Sequence, residues 1–333
     1  MKKLINTPAR YVNEALAGML AAHHETFATQ GRSGRLIVRA RSKSLGRVGL
    51  VTGGGFGHLP LFAGYVGEGL LDACAVGDVF AGPSRDSVSE ALEAADRGAG
   101  VLVIIGNYGG DRMVFTMAAE EWRAAGHAVE IVIGNDDIAS APEAERASRR
   151  GVAGLIFAFK VAGAAAEVGW SLERCRAVAA RMVERTRTIG VALSPCILPA
   201  RGKPTFEIED ESIEMGMGIH GEKGVWHGPL KPADALVDEM LERLTAELPI
   251  EAGSRVAVLC NSLGATPIEE LYILYRRIAE VLDQRGVTIV RPMVGHYVTS
   301  MEMAGASISL ALLDQELEPL LIAPTPSPFW KST

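Results

Sequence analysis

Hydrophobic and polar positions along the chain follow two patterns: short continuous apolar runs, and longer stretches with helical spacing. Runs of the first kind, such as GRVGLVTGG, GVLVIIGNYGGD and HAVEIVIGNDD, end in glycine-rich or polar loops and predict buried strands. Stretches of the second kind, such as DSVSEALEAADRG and VFTMAAEEWRAAG, predict helices between them. Buried strands that alternate with helices indicate an α/β protein whose sheets are covered on both faces.

The pattern changes near residue 188, where a segment rich in glycine and proline with short alternating runs begins. Strand and helix patterns return after it, in SRVAVLCNSLGATP and IEELYILYRRIAEVLDQRG. We therefore predict two α/β domains, residues 1–187 and residues 188–333. A chain of 333 residues is long enough for two such cores.

Charge and cysteine content exclude several classes of protein. The net charge is −7 and no block of lysine and arginine occurs, which argues against nucleic-acid binding. The cysteines Cys74, Cys175, Cys196 and Cys260 are widely separated, so we predict buried reduced thiols and no metal site. Polar residues interrupt the N-terminal apolar stretch, which predicts neither a signal peptide nor a membrane span. A cytoplasmic location is the resulting expectation.

Three loops, GGGFGH, GNYGGD and CNSLGATP, follow predicted strands, at the edge where open α/β sheets bind ligands. GGGFGH lacks the Lys-Ser/Thr pair of a P-loop and the GxGxxG spacing of a dinucleotide site. Pro60 also follows where a helix would have to begin. The loop therefore predicts bare backbone N–H groups near a small ligand, with His58 at the edge, and argues against a nucleotide site.

Three side chains are candidates for chemistry: His58 and Asp111 in these loops, each with a structural alternative, and His220 in the later segment EMGMGIHGEKG. His58 could serve in acid–base chemistry or be a hydrogen-bonded turn residue. Asp111 could contribute a carboxylate to a site or cap the helix that begins near RMVF. His220 lies between glycines, a poor place for a packed core histidine, and a neutral imidazole there could add to a carbonyl group.

Six motifs together identify a family. In chain order they are GGGFGHLPLFAGYVGEGLLDACAVGDVFAGPS, GNYGGD, KVAGAAAEVGWSLE, GVALSPCILPARGKPTFEIEDESIEMGMGIHGE, SLGATPIEELYILYRR and RPMVGHYVTSMEMAGASISLALLD. Along nearly the whole chain they resemble the dihydroxyacetone-binding K subunit, or Dak1 domain, of dihydroxyacetone kinases. The resemblance implies two α/β domains with central mixed sheets flanked by helices.

The resemblance also implies a role for each candidate residue. His220 would add to the ketone carbon of a short ketose and form a covalent hemiaminal. His58 would be the acid–base partner, and Asp111 would bind and activate the ketose hydroxyl that receives the phosphoryl group. The residues implied as the lining of the substrate pocket are Gly55, Phe56, Gly57 and Gly106.

Partners follow from the same resemblance. In the family the nucleotide binds a separate helical L subunit or domain, so ATP or ADP and Mg²⁺ are expected there and no cofactor is expected in this chain. The K-type segment reaches nearly to Thr333, so we expect a separate L subunit, without which the chain would be inactive as a kinase. The phosphoryl donor could be ATP, or a phosphotransferase M subunit could recharge the L subunit. The family also suggests a homodimer.

Three positions depart from the usual family pattern. Phe56 stands where a serine is usual, Leu59 where a glutamate is usual, and Gly106 where a lysine is common. The usual lysine would give the ligand a charge-assisted hydrogen bond, and its absence at Gly106 would weaken ligand binding by roughly 1.5–3 kcal/mol. Our hypothesis is that the pocket is reshaped for a four-carbon ketose such as erythrulose; the alternative is that dihydroxyacetone is retained.

Two rival functions remain open from the sequence. A non-catalytic ketose sensor that partners a transcription regulator would need the covalent histidine, but less obviously Asp111. An aldolase or isomerase that uses Lys160 or Lys203 as a Schiff base has no supporting motif. Lys160 is predicted to reach solvent from the end of a strand or the start of a helix.

Overall fold

Two six-stranded sheets organise residues 2–330, the part of the chain that the computed structural model describes. The first sheet has the order β1-β2-β4-β3-β5-β6. Its strands are β1 (Phe27–Gln30), β2 (Leu36–Arg39), β3 (Gly49–Phe56), β4 (Ala73–Val79), β5 (Val101–Gly106) and β6 (Val129–Gly134). β4, β3, β5 and β6 pair in parallel, whereas β2 pairs antiparallel with β1 and β4, so the sheet is mixed.

The second sheet has the order β11-β10-β12-β7-β8-β9. Its strands are β7 (Thr186–Ser194), β8 (Ser212–Met215), β9 (Trp226–Pro229), β10 (Arg255–Ser262), β11 (Thr288–Gly295) and β12 (Ala304–Leu312). β10 and β11 are parallel and the other neighbours are antiparallel. This sheet is also mixed, which confirms the predicted fold class.

Helices cover these sheets: α1 (Tyr11–Ala22), α2 (Arg85–Ala95), α3 (Gly109–Ala124), α4 (Leu155–Glu167), α5 (Leu172–Glu184), α6 (Ala233–Ala246), α7 (Ile268–Gln284) and α8 (Leu317–Ile322). Serine caps begin α2 and α5, where the side chains of Ser84 and Ser171 accept the N–H groups of Ser87 and Arg174. α4 is buried along nearly its whole length, in keeping with its uniformly apolar sequence.

The chain passes from the first sheet to the second close to the predicted boundary, and residue 188 lies inside β7. The two halves nevertheless share a hydrophobic core. Leu259 of β10, Leu321 of α8 and Trp330 of the tail pack in the same cluster as Leu50 of β3. The division into two domains at this residue stays a prediction, because packing does not separate the halves.

Lys160 does not reach solvent, so that prediction was wrong. Its side chain is fully buried in the middle of α4, and Nζ donates to the Leu320 carbonyl of α8 at 3.0 Å. All four cysteines are free and buried, as predicted. Among residues 2–330 no helix is long and apolar enough to cross a membrane, and no cluster of three or more His, Cys, Asp or Glu is placed to hold a metal ion.

Candidate functional site

The first histidine of the site stands directly after β3. The strand continues through the glycine triplet to Phe56, so GGGF is buried strand and not loop. Gly57 then turns the chain with a φ of +111°, and a Cβ there would lie 2.8 Å from the Phe80 ring. This close approach lets the ring of His58 stack on Phe80, with centroids 4.8 Å apart and planes 6° from parallel.

Burial and one hydrogen bond fix the protonation of His58. Its side chain is only 1% exposed, and Nδ1 lies 2.8 Å from the Thr299 carbonyl oxygen. Burial, helped by the nearby His220, lowers the pKa of His58 to about 3. The ring is therefore neutral near pH 7. Because a carbonyl only accepts, Nδ1 carries the proton, and Nε2 is a buried lone pair with no hydrogen-bond partner.

Asp111 lies in the first turn of α3, which begins at Gly109, and it does not cap the helix. Its Oδ1 is buried and has no hydrogen-bond partner. A Cβ at Gly82 would come within 2.2 Å of this oxygen, so Gly82 makes room for the carboxylate. Burial raises the pKa of Asp111 to about 6, against an opposing effect of His220. The carboxylate can therefore accept a proton near neutral pH.

His220 comes from the second half of the chain, in the loop between β8 and β9. Its ring meets three others edge to face, with centroids 4.9 Å from His58, 5.2 Å from Phe80 and 4.9 Å from Tyr108. The side chain is 24% exposed, so one side of the ring stays accessible. The structure thus brings together the rings of His220 and His58, two of the three predicted catalytic residues.

Glu222 holds His220 at two points. Oε1 lies 3.0 Å from the ring Nδ1, and Oε2 accepts the backbone N–H of His220 at 2.9 Å. Burial raises the pKa of Glu222, but its hydrogen bonds with His220 outweigh burial and lower the pKa to about 2. The carboxylate therefore accepts Nδ1–H, which leaves the Nε2 lone pair of a neutral His220 free to act as a nucleophile.

Of the residues predicted to line the pocket, Gly55 and Gly57 pack against Phe80 and Gly106 lies beside Tyr108. The Phe56 side chain is directed elsewhere. The ring of Phe56 packs against Tyr11 of α1, and lines a groove together with Leu59. At Gly106 a Cβ would lie 3.0 Å from the Tyr108 ring and 3.1 Å from the Gly151 carbonyl oxygen. The space expected at Gly106 is therefore partly filled. The Phe56 backbone stays near the site, because its carbonyl accepts the N–H of Phe80 at 3.0 Å. Gly55 packs against the backbone of Phe80 and Ala81.

Sequence reasoning missed Phe80, Tyr108 and Glu222. Glu222 follows His220 by two residues in GIHGE, a spacing that could have indicated a carboxylate partner. Phe80 has a φ of +55°, which no sequence signal reveals. In the third predicted loop, CNSLGATP, Leu263 belongs to the apolar cluster against which Phe80 packs. The Leu263 carbonyl also accepts the N–H of Ser300, next to the Thr299 carbonyl that anchors His58.

Chemically, the site combines a possible nucleophile with two unpaired acid–base atoms. His220 Nε2 can attack an electrophilic carbon, and His58 Nε2 and Asp111 Oδ1 can each exchange a proton with a hydroxyl group. Buried polar atoms are normally hydrogen-bonded, so these two atoms beside a partly open ring are well placed to bind the polar groups of a small molecule.

Comparison with known proteins gives matches along nearly the whole chain. The Dak1 domain family model matches residues 17–329. The dihydroxyacetone-binding subunit DhaK of a PTS-dependent dihydroxyacetone kinase from Listeria innocua is 42% identical over 316 residues, which are 95% of each chain. An L-erythrulose kinase from Pectobacterium atrosepticum is 41% identical over 335 residues, which are 99% of this chain and 56% of that kinase.

Solved structures agree with these matches. The dihydroxyacetone kinase of C. freundii has a TM-score of 0.92 at 33% identity, over 99% of this chain and 60% of that one. A dihydroxyacetone kinase operon co-activator, DhaQ, has a TM-score of 0.88 at 29% identity, over 94% of this chain and 96% of that one. Both a kinase and a co-activator therefore share this fold at appreciable identity.

Proposed function

The chain belongs to the Dak1 domain family, and on that premise we propose that it is the ketose-binding subunit of a kinase for a short ketose. The observation that carries the proposal is the convergence of three groups. His58 Nε2 and Asp111 Oδ1 are buried and unpaired, and the His220 ring lies against the ring of His58. A small molecule with a carbonyl group between two hydroxyl groups would satisfy all three.

Capture of the ketose begins with His220. Its Nε2 attacks the ketone carbon, a C–N bond forms, and the carbonyl double bond becomes a single bond. The ketose oxygen gains one proton, delivered from solvent through transient protonation of His58 Nε2. The alkylated His220 ring loses its Nδ1 proton, which Glu222 passes on to solvent and does not keep, so the step neither consumes nor releases protons overall. No water is lost, so the product is a hemiaminal. A polyol such as glycerol has no electrophilic carbon and would not be captured.

Asp111 acts in the second stage. Its pKa of about 6 leaves it ionised near neutral pH, so it can accept the proton of a terminal ketose hydroxyl. The covalent bond at His220 holds that hydroxyl in one place, and phosphoryl transfer depends chiefly on such positioning.

The phosphoryl donor is proposed to come from a separate L-type subunit that carries ATP or ADP with Mg²⁺. GGGFGH forms a strand end in the structure, and it lacks the motifs of a nucleotide loop. The Listeria relative is described as PTS-dependent, which favours a phosphotransferase M subunit as one source of phosphate. We also propose that the K-type chain is a homodimer in the cytoplasm.

The substrate is proposed to be dihydroxyacetone or a four-carbon ketose such as erythrulose. A relative at 41% identity is an L-erythrulose kinase, which supports the larger ketose. Of the three departures from the family pattern, Gly106 is the one beside the site. It lies next to Tyr108, whose ring contacts His220.

A second candidate function is a ketose sensor that partners a transcription regulator. The likeness to the co-activator DhaQ favours it. Asp111 argues for the kinase, because a sensor needs capture by His220 but no group to activate a hydroxyl.

Reconstitution tests the kinase proposal. The purified chain is mixed with a DhaL-type subunit, ATP and Mg²⁺, and ketose phosphate is measured for dihydroxyacetone and both erythrulose enantiomers. We expect phosphorylation only when both proteins are present. Phosphorylation of dihydroxyacetone far above every larger ketose would reject the erythrulose preference. Ketose binding without phosphorylation by any L-type partner would favour the sensor.

A further inference from the structure

Arg150 joins the two halves of the site, although no motif singles it out. It lies in the segment between β6 and α4, in the first half of the chain. Its Nη2 donates to the Gly216 carbonyl at 2.8 Å, just after β8, and its Nη1 lies 3.9 Å from Glu222 Oε2. Arg150 thus contacts both ends of the loop that carries His220.

The Arg150 side chain is itself held firmly. Nε donates to Asp137 Oδ2 at 2.9 Å, Nη2 lies 2.8 Å from the same oxygen, and the side chain is only 14% exposed. The backbone is fixed too, because the Arg150 N–H donates to Ser140 Oγ at 2.9 Å. A guanidinium fixed on one side presents its other N–H groups in a set direction.

The loop is shaped to receive this side chain. A Cβ at Gly218 would lie 2.0 Å from Glu222 Oε2 and 2.4 Å from Arg150 Nη1, so a larger residue there would displace the two charged groups. The Gly218 N–H also donates to the Glu222 carbonyl at 2.9 Å, which closes the loop on itself. The orientation of Glu222 therefore depends on both Gly218 and Arg150.

The neighbouring residue ties the same segment to the other side of the site. The carbonyl oxygen of Arg149 accepts from Asn107 Nδ2 at 2.7 Å, in the loop that leads to Asp111. Two consecutive residues thus contact the Asp111 loop and the His220 loop. The relative position of the two loops is set through this short segment.

We propose that Arg150 is a positioning residue for His220: it orients Glu222 and the Gly216–Glu222 loop, and so directs the Nε2 lone pair of His220 into the site. Arg150 does not touch the ketose; it acts through Glu222. The consequence for capture rests on the proposed function, whereas the consequence for the His220 ring does not.

The first test reads the His220 ring in the ligand-free full chain. Protein labelled with ¹⁵N-histidine is studied by NMR, and the His220 signals are assigned by their loss in His220→Ala. In the wild type we expect a protonated Nδ1 and an unprotonated Nε2. In Arg150→Met we expect a mixture of the two tautomers. Wild-type nitrogen shifts in Arg150→Met would overturn the proposal.

The second test measures the rate of covalent adduct formation with dihydroxyacetone by intact mass. We expect adduct formation to be about tenfold slower in Arg150→Met and about threefold slower in Arg150→Lys, because lysine keeps the positive charge but not the planar set of N–H donors. Arg146→Met, at a partly exposed arginine in the same segment, is the matched control and should match the wild type. Equal slowing in Arg146→Met, or none in Arg150→Met, would contradict the proposal.

Two further outcomes separate the possible failures. If Arg150→Met does not fold, the nitrogen shifts of Arg150→Lys decide, and wild-type shifts there would overturn the proposal. If the wild type forms no adduct, the proposed function fails, while the NMR measurement still tests the role of Arg150.

Discussion

The two histidines of the site are held in opposite ways. His58 is buried behind a strand end, and its Nδ1 donates to a neutral backbone carbonyl. His220 lies on a loop, is partly exposed, and its Nδ1 donates to an ionised carboxylate. Both arrangements leave Nε2 free, but only His220 has a charge beside it that can offset a positive ring.

This difference between the two anchors supports the proposed roles of the two histidines. A ring that attacks a carbonyl carbon gains positive charge, which Glu222 stabilises at His220 and which burial disfavours at His58. His58, with a pKa of about 3, is neutral at rest, so in the proposed role it would hold a proton at Nε2 only transiently while passing it to the ketose oxygen. The anchor of each histidine, a carboxylate or a carbonyl, therefore favours His220 as the proposed nucleophile and His58 as the proposed proton relay. Changing one anchor or one partner at a time tests this difference.

Asp111→Asn separates capture from transfer. We expect phosphorylation in the reconstituted complex to fall by about 10²- to 10⁴-fold, since an amide cannot accept the hydroxyl proton. Adduct formation should stay within about twofold of the wild type. The wild-type rate should rise as the pH increases through about 6, where Asp111 ionises, and the variant should lack this rise. Glu120→Gln, at an exposed carboxylate on α3, is the control. If Asp111→Asn lost adduct formation as strongly as phosphorylation, Asp111 would not act in phosphoryl transfer alone.

His58→Asn removes the proton relay and keeps a polar side chain. We expect adduct formation to slow by about 10²- to 10³-fold, because proton transfer to the ketose oxygen loses its positioned group. The rate is followed by intact mass, with the exposed His24→Asn as the control. An unchanged rate would show that the oxygen takes its proton directly from solvent.

Glu222→Gln exchanges the charged anchor of His220 for a neutral one. The amide oxygen can still accept Nδ1–H, but it cannot offset the ring charge that develops during attack. Loss of a charge-assisted hydrogen bond predicts a rate of adduct formation about 10- to 100-fold lower. Glu207→Gln, at an exposed carboxylate upstream in the chain, should leave that rate unaltered. A Glu222→Gln variant as fast as the wild type would refute the assigned role of the anchor.

Gly106→Lys restores the cation that is common in the family. We expect the preference for dihydroxyacetone over erythrulose to rise about tenfold, since a charge-assisted donor contributes about 1.5 kcal/mol or more. Competition between the two ketoses for the adduct measures this ratio. Gly106→Ala is the control for displacement of the Tyr108 ring alone. If both variants keep the wild-type ratio, position 106 does not set selectivity.

The pH dependence of stability tests the burial of His58. Its folded pKa is lowered to about 3 from an ordinary 6.5, so the unfolded chain binds a proton below pH 6.5 that the folded chain does not. This histidine should therefore cost about 1 kcal/mol of unfolding free energy between pH 6.5 and 5.5. His58→Asn should lack that loss in denaturant titrations. Because the folded pKa of Asp111 is raised to about 6, Asp111 increases the unfolding free energy as the pH falls below about 6, and it does so in both proteins. Parallel pH curves would show that His58 is not held neutral.

Most of the first half of the chain could be predicted from sequence because apolar runs and helix caps are local signals. The segments GGGFGH and GNYGGD stand at the carboxyl ends of parallel strands. Those ends meet at the edge of the sheet where ligands bind, so the proximity of the two segments could be predicted. His220 could be placed beside them only through the family resemblance, since its loop joins two short antiparallel strands. The contacts of Phe80, Glu222 and Arg150 depend on tertiary packing that no local pattern encodes. Lys160 was misplaced because a single cation in an apolar run gives no sign of its distant carbonyl partner.

The central claim is covalent capture of a ketose at His220, and native intact mass tests it most directly. The purified chain is measured with dihydroxyacetone and with erythrulose, as wild type and as His220→Ala. We predict a gain of one whole ketose with no loss of water in the wild type, and no gain in the variant. A wild type that gains no ketose, or a His220→Ala variant that still gains one, would contradict the account.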